Sequence, residues 1–326
     1  MKKATIVLLI IAAALIAAGV VLCIVGMVLS AGGFSWGDAM ISFGKRDMVT
    51  KEYEMSGKLS GIDVTLTTSD VEILPATDGV TKVLCREDQK EPHEVLVEDG
   101  VLKIGAEAKP WYQRIHLFSW GGERKVTIYL AETEMKALSV TTDTGDVFAS
   151  SELSFENATV KTDTGEIEIA SSVAGALNIK VSTGDVSVLS KTLGSLDVTA
   201  TTGDVSLSGV SSDEIKIQTT TGEIEAHSVS CRTFSATSST GEHEYERLIV
   251  GETLTLEAST GDISLDGCDA AEVRIVTDTG DVEGRFLTAK VFYTSTDTGR
   301  VRVPKATSGG LCEITTDTGD IEFDEP

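Results

Sequence analysis

Ten glycines, Gly145, Gly165, Gly184, Gly203, Gly222, Gly241, Gly261, Gly280, Gly299 and Gly319, are spaced 19 or 20 residues apart without exception, and a threonine precedes every one. A fixed period of this length signals one supersecondary unit stacked on the next. Within a unit the apolar residues alternate on both sides of the glycine. Leu177, Ile179 and Val181 precede Gly184, and Val186 and Val188 follow it. Period-2 alternation rich in Val, Ile and Thr marks half-buried strands. Each unit therefore reads as strand, glycine corner, strand and return loop.

A third inward position falls about seven residues past the glycine, at Val210, Val229, Leu248, Cys268 and Leu287. A two-residue hairpin wants Asn or Asp before its glycine, and here that residue is always threonine. A coil that turns a corner and stacks on its neighbour explains the period better than a meander or a propeller. The expected fold is all-β: a parallel β-solenoid of about ten 19–20-residue rungs. Crossovers between parallel strands are right-handed in the large majority of cases, so right-handed coiling is expected. No six-residue subperiod and no GGxGxD nonapeptide is present, which argues against hexapeptide and calcium-roll helices.

The alternation predicts that the threonine before each glycine points inward, where stacked hydroxyls satisfy the turn backbone. Glycine supplies a positive φ, and the acidic residue after it accepts from turn amides. Aspartate or glutamate fills that slot in nine of ten units; Arg300 is the exception. Acidic residues also recur two positions before the glycine. Together Asp143, Asp146, Asp163, Asp278, Asp281, Asp297, Asp317 and Asp320 line one edge of the stack. Such rows are either a screened, solvated face or oxygen ligands for a divalent cation. Calcium is the one cofactor candidate; no other cofactor is expected.

Charge is uneven. Residues 138–326 carry 12 basic against 33 acidic side chains, and 45–137 carry 13 against 17, in a chain of net charge −24. So acidic a surface excludes nucleic acid as a partner of the solenoid. Residues 4–30 contain no charge, and 27 residues at 1.5 Å each reach roughly 40 Å, enough to span a bilayer. Lys2 and Lys3 precede them, so the N-terminus is expected in the cytoplasm and the remainder outside. A cleavable signal peptide is the competing reading, although its apolar core is normally about 7–15 residues. Phe34 and Trp36 fall where interfacial aromatics belong. The expected organisation is an anchor over 1–31, a linker over 32–50, an N-terminal β cap with a degenerate first rung over 51–137, and the solenoid over 138–326.

Within the cap region, residues 61–74 fit the repeat with Ser69 in the glycine slot, and Asp99-Gly100 marks a hairpin. Residues 109–122 break the pattern. Trp111, Tyr112, Arg114, Phe118 and Trp120 there form either a stacking platform for a glycan or protein partner or a plug on the solenoid core. At the other end, Asp324, Glu325 and Pro326 are expected to blunt the final edge. The five cysteines have no metal or disulfide spacing and read as buried thiols.

The lysine-flanked apolar segment, the VEDGVLKI stretch and the serial T-x-TGD-[IV] repeats together resemble a bacterial family. It is the putative-adhesin β-strand-repeat family of unknown function, related to the auto-transporter adhesin head GIN domain. The resemblance covers residues 50–326 and implies a membrane-tethered, extracytoplasmic β-solenoid linked to the cell envelope, with no catalytic residues to transfer. Arg300 and His243 depart from the repeat, in slots otherwise acidic and aliphatic.

No enzyme motif is present. HEYER at 243–247 lacks the second histidine of a zincin, and no nucleophile elbow, P-loop or Rossmann fingerprint appears. Carboxylates that recur uniformly do not make the unlike pair that glycosidic chemistry requires. The expectation is a non-enzymatic structural or interaction protein of the cell membrane. Its partner would be an envelope or surface protein or a glycan, with self-association a further option. A cation- or glycan-binding surface module is the alternative, and a carbohydrate-active enzyme the third.

Overall fold

A computed structural model describes residues 44–45, 47–89, 91–106, 119–120 and 122–326. The anchor segment 4–30 lies outside the described residues, as do Trp111, Tyr112, Arg114 and Phe118. Among the described residues no helix is long and apolar enough to cross a membrane.

The chain divides into two compact units. The first, Met1–Met48, Asp88–Lys90 and Glu107–Gly122, is described mainly by strands Gly44–Lys45 and Ser119–Trp120, which pair in parallel. The second, Val49–Glu87, Glu91–Ala106 and Glu123–Pro326, is a parallel β-solenoid. Each rung has a long strand in one sheet and a short strand in the other, as in Leu193–Thr202 followed by Val205–Ser208. Equivalent residues of successive rungs pair directly. Ile179 faces Val198, and Val198 faces Ile217, so identical inward positions stack into continuous apolar rows.

The corner differs from the simple alternation in one respect. Thr144, Thr164 and their counterparts before the glycine are exposed, not inward. The inward threonine is two residues earlier, at Thr142, Thr162, Thr277 and Thr316. Two successive outward residues widen the bend, and the phase of the strand breaks there. The ladder function survives at the shifted position. Thr162 Oγ1 donates to the carbonyls of Gly145 and Thr164 at 3.3 and 3.1 Å, and Thr296 Oγ1 donates to Gly319 O at 3.0 Å. The third inward position is as expected at Val210, Val229, Leu248 and Cys268, which are buried, but Leu287 is exposed. A register shift between Asp266 and Cys268 places Phe286 opposite Cys268 and turns Leu287 outward.

The corner glycines form one column in which each approaches the carbonyl of the rung beneath. A Cβ on Gly222 would lie 2.0 Å from Gly203 O, and its φ of 147° disfavours any L side chain.

Stacking order departs from chain order at both ends. Gly61–Thr68, the strand before Ser69, lies between Val101–Ala106 on one side and Glu134–Thr144 on the other. Asp70–Pro75 likewise lies between Lys125–Leu130 and Val147–Ala149. Outside these, His93–Glu98 runs antiparallel to Val101–Ala106 through the expected hairpin, with Asp99 at φ 50° and Gly100 at φ 77°. Lys82–Asp88 runs antiparallel to Lys125–Leu130.

At the C-terminal end, Gly310–Thr318 inserts between Ile263–Thr279 and Lys290–Thr298. Ile321–Asp324 inserts in the same way between Val282–Phe286 and Val301–Arg302. The last rung in sequence is therefore next to last in space. Asp324, Glu325 and Pro326 do not blunt the edge; the rung spanning 290–302 forms it. Asp281 and Asp297 are accordingly not on adjacent rungs, because the rung of Asp317 and Asp320 separates them. Phe323 of the inserted rung stacks on Phe286 at 5.1 Å and meets Phe292 of the outer rung at 5.4 Å, which joins three rungs through one aromatic cluster.

Candidate functional site

The acidic residue after each glycine has a specific structural task. The Oδ1 of Asp146 accepts the Glu166 amide at 2.8 Å, that of Asp185 the Asp204 amide at 2.9 Å, and that of Asp204 the Glu223 amide at 2.8 Å. Asp70, Asp262, Asp281 and Asp320 bond in the same way to the rung above them in space. Among the described residues every aspartate in this slot makes the bond, while Glu166, Glu223 and Glu242 make none. One extra methylene carries the carboxylate beyond the next rung's amide. Each such bond is charge-assisted, and together they form a ladder of carboxylates up the corner in three runs, each starting anew after a glutamate. Asp143, Asp163, Asp278, Asp297 and Asp317, two residues before the glycine, are exposed beside it. Glu223, Glu225 and Glu244 also converge on the adjoining face, and the Glu223 carboxyl is raised above its usual range by partial burial and then by those neighbours.

The ladder explains the exception in the repeat. Arg300 occupies the acidic slot of the outermost rung, where no further rung among the described residues has an amide to satisfy. Its own amide donates to Asp320 Oδ1 at 2.8 Å, and its guanidinium returns to Asp320 Oδ2 at 3.1 Å.

Lys290 secures the same end. This buried lysine starts the outer strand, opposite Gly310, yet its Nζ donates to Ala270 O at 2.7 Å, to Thr288 Oγ1 at 2.9 Å and to the Asp269 carboxylate. It reaches past the intervening strand at a residue without a side chain: a Cβ on Gly310 would lie 3.2 Å from Nζ. A buried ammonium persists only when paired and hydrogen-bonded, and these partners meet that condition.

Among the described residues, two clusters of buried polar side chains centre on histidines. In the first, Glu87 accepts from the His93 amide at 2.6 Å and faces His93 Nδ1 at 2.7 Å, while Lys51 Nζ stands 2.6 Å from its other oxygen. Ser69 Oγ lies 3.3 Å from His93 Nε2, and Cys85 adjoins the group. Burial alone would raise the Glu87 carboxyl, but the His93 amide and the Lys51 ammonium outweigh it and hold it low. Burial depresses His93 more than Glu87 raises it. This serine, histidine and glutamate are all buried; Ser69 Oγ also donates to Thr68 O at 2.5 Å. They fasten the glycine-free start of the corner column, where Ser69 stands below Gly145. In the second, His243 sits in the aliphatic row between Ile224 and Ile263. Its Nε2 lies 2.8 Å from Ser238 Oγ and its Nδ1 3.1 Å from Tyr245 Oη. Burial pushes the imidazole down to about 4. The sequence marked His243 as a departure, but its partners, Ser238 across the Gly241 corner and Tyr245 on the same strand, lie too close in the chain to register as a constellation.

Cys85, Cys231, Cys268 and Cys312 are free and buried, and burial pushes the Cys85, Cys231 and Cys312 thiols up to about 12 and Cys268 to about 11. Thiols so far from ionisation are packing groups. Of the tryptophan-loop residues, the structure places only the Trp120 backbone, paired with Lys45.

Fold and corner together define a parallel β-solenoid whose repeat motif maintains its own stack. The chain belongs to the Toastrack DUF4097 family, whose model matches residues 59–244 and 227–326. No curated protein matches the sequence. Among solved structures, a putative adhesin from Parabacteroides distasonis is 14% identical, with 86% of this chain and 100% of the other aligned and a TM-score of 0.49. One from Parabacteroides merdae is 12% identical, with 86% and 99% aligned and a TM-score of 0.48. A putative lipid binding protein from Parabacteroides distasonis is 16% identical, with 87% and 100% aligned and a TM-score of 0.46.

Proposed function

We propose that the protein is a membrane-anchored, extracytoplasmic, right-handed β-solenoid with a non-catalytic, adhesin-like role at the cell envelope. Residues 4–30 hold it in the membrane and the acidic solenoid stands outside. The observation that carries this reading is the aspartate ladder. The aspartates that directly follow the corner glycines are spent on rung-to-rung bonds, so the repeat builds a stalk and recognition falls to its exposed faces and ends. An irregular N-terminal region that closes one end of the stack belongs to the same reading. In intact cells or protoplasts, added protease should digest the region after residue 51; complete protection would refute the exported topology.

A second reading rests on the exposed rows at Asp278 and Asp317, which lie on rungs adjacent in space beside Asp281 and Asp320. There the face would take a divalent cation, with the tryptophan loop as a separate glycan contact. Calcium that raises the melting temperature beyond matched ionic strength, and fails to do so after Asp278→Asn and Asp317→Asn, would favour this reading. A glycan array tests the loop.

A further inference from the structure

The outermost rung, residues 290–302, is an unfinished edge. On its inner side Lys290–Thr298 and Val301–Arg302 pair with the inserted rung. Among the described residues no strand pairs with their outer side, so both sheets end in a row of open backbone groups. The apolar rows end there uncovered. Ile321 is fully buried, whereas its partner Val301 is 45% exposed. Cys312 is fully buried, whereas Phe292 opposite it is only half-buried. Tyr293, 62% exposed, adds aromatic surface on the outward face of the same strand.

Charge at this edge reverses. The two outward slots after the corner hold Asp281 and Glu283 on one rung and Asp320 and Glu322 on the next, then Arg300 and Arg302 at the edge. With Lys305, and setting aside the buried Lys290 paired with Asp269, residues 286–305 expose three basic side chains and one acidic, Asp297, in a chain of net charge −24. Each edge arginine is paired on one side only, Arg300 with Asp320 at 3.1 Å and Arg302 with Glu322 at 2.6 Å. The protein shows elsewhere what a completed arrangement looks like. Arg232, in the middle of the stack, is held by Asp213 on the rung below at 2.9 Å and by Glu252 on the rung above at 3.0 Å.

We propose that this edge is a docking site for one extended strand of a partner protein, in which acidic residues alternate with apolar ones. Resting on the stalk reading above, it specifies where that stalk recognises a partner and by what chemistry. Backbone pairing would supply registry. Laid along Val301–Arg302 in the short-strand sheet, its apolar side chains would cover Val301 and the half-buried Val303, and the acidic ones would complete acid–arginine–acid stacks at Arg300 and Arg302. The same arginines select against a second copy meeting edge to edge, since like charges directly opposite repel.

The test uses the full-length protein in detergent micelles and a fluorescent octapeptide, Thr-Gly-Asp-Ile-Glu-Phe-Thr-Gly, with a control in which lysine replaces both acids. By anisotropy the acidic peptide should bind saturably and the lysine peptide should not. Arg300→Gln with Arg302→Gln should weaken binding about fivefold or more, as expected for two partly exposed ion pairs. Arg300→Glu with Arg302→Glu should transfer preference to the lysine peptide. Circular dichroism melts confirm that each variant stays folded, and Val301→Asn provides a variant that leaves the charges in place and should also weaken binding. The proposal is overturned if the acidic peptide fails to saturate at millimolar concentration, or binds wild type and the glutamine variant equally. It is also overturned if wild type self-associates without peptide and the glutamine variant does not, which would make a second copy the occupant. Loss of surface exposure in cells would sink the stalk reading but leave peptide binding intact, so the two can fail separately.

Discussion

The amide of Arg300 donates to the carboxylate of Asp320 at 2.8 Å, although Asp320 follows it by 20 residues, and the amide of Asp320 donates in turn to Asp281 at 2.7 Å. The ladder climbs from Asp281 to Asp320 and ends on Arg300. Had the rungs stacked in chain order, Arg300 would have interrupted the ladder and Asp320 would have met no amide above it. The observed order keeps every aspartate bonded and places the one arginine where no bond is needed. It also pairs the inserted strands Gly310–Thr318 and Ile321–Asp324 on both sides, where an edge strand is paired on one.

The ladder depends on side-chain length. Asp204→Glu should destabilise the protein by about 1 kcal/mol, close to the worth of one net hydrogen bond, because glutamates in this slot make no bond to the next rung. Asp204→Asn, which keeps the acceptor at the same reach, should cost less. Urea melts of the three proteins decide it, and a neutral glutamate variant would count against the ladder.

The glycine column should be far less tolerant than glycines elsewhere. Gly222→Val places a Cβ 2.0 Å from Gly203 O at a φ of 147°, and strain with displaced backbone should cost about 3 kcal/mol or more. Gly251→Ala provides the contrast, since its nearest neighbour would be 3.7 Å away. It should be neutral or mildly stabilising. Equal losses at both sites would show that stacking distance is not the cause.

The repeat made most of this fold legible. A constant interval, alternating Val and Ile, and a glycine after threonine identified the parallel stack and even the degenerate rung at Ser69. Two features were hidden. The inward threonine lies two residues earlier than alternation suggests, because a corner breaks the strand's phase and nothing in the threonine itself reports this. Rung order was hidden more deeply: a periodic sequence offers each rung the same partners, so Gly299 and Gly319 look interchangeable. Arg300 was the visible trace of the exchange, and it became readable only once the aspartate ladder showed what the slot does. The edge site depends on that order, which is why composition alone did not reveal it.

Acid should weaken the solenoid. The folded pKa of His243 is about 4, against an ordinary value of 6.5, with burial as the cause. The unfolded chain therefore binds more protons between those values, and stability falls as pH drops from about 6.5 towards 4. His93, also lowered by burial, acts in the same direction. His243→Ile matches its row neighbours Ile224 and Ile263 and should flatten this part of the dependence, even if the orphaned Ser238 and Tyr245 hydroxyls lower stability at neutral pH. Melting temperatures across the window, wild type against variant, provide the check; an unchanged slope would mean that His243 is not the sensor.

Rung order is the claim on which the ladder, the lysine clamp and the edge site all rest. Thr318 pairs with Thr279 on one side and with Thr298 on the other, so Thr279 and Thr298 are two rungs apart. Cysteines introduced as Thr279→Cys with Thr318→Cys should oxidise to a disulfide in the folded protein, since neighbouring strands lie about 4.8 Å apart. Thr279→Cys with Thr298→Cys should not, because two rungs exceed the reach of the bond. Peptide mapping by mass spectrometry reads both. A disulfide between positions 279 and 298, with none between 279 and 318, would show that the rungs stack in chain order and would contradict the account.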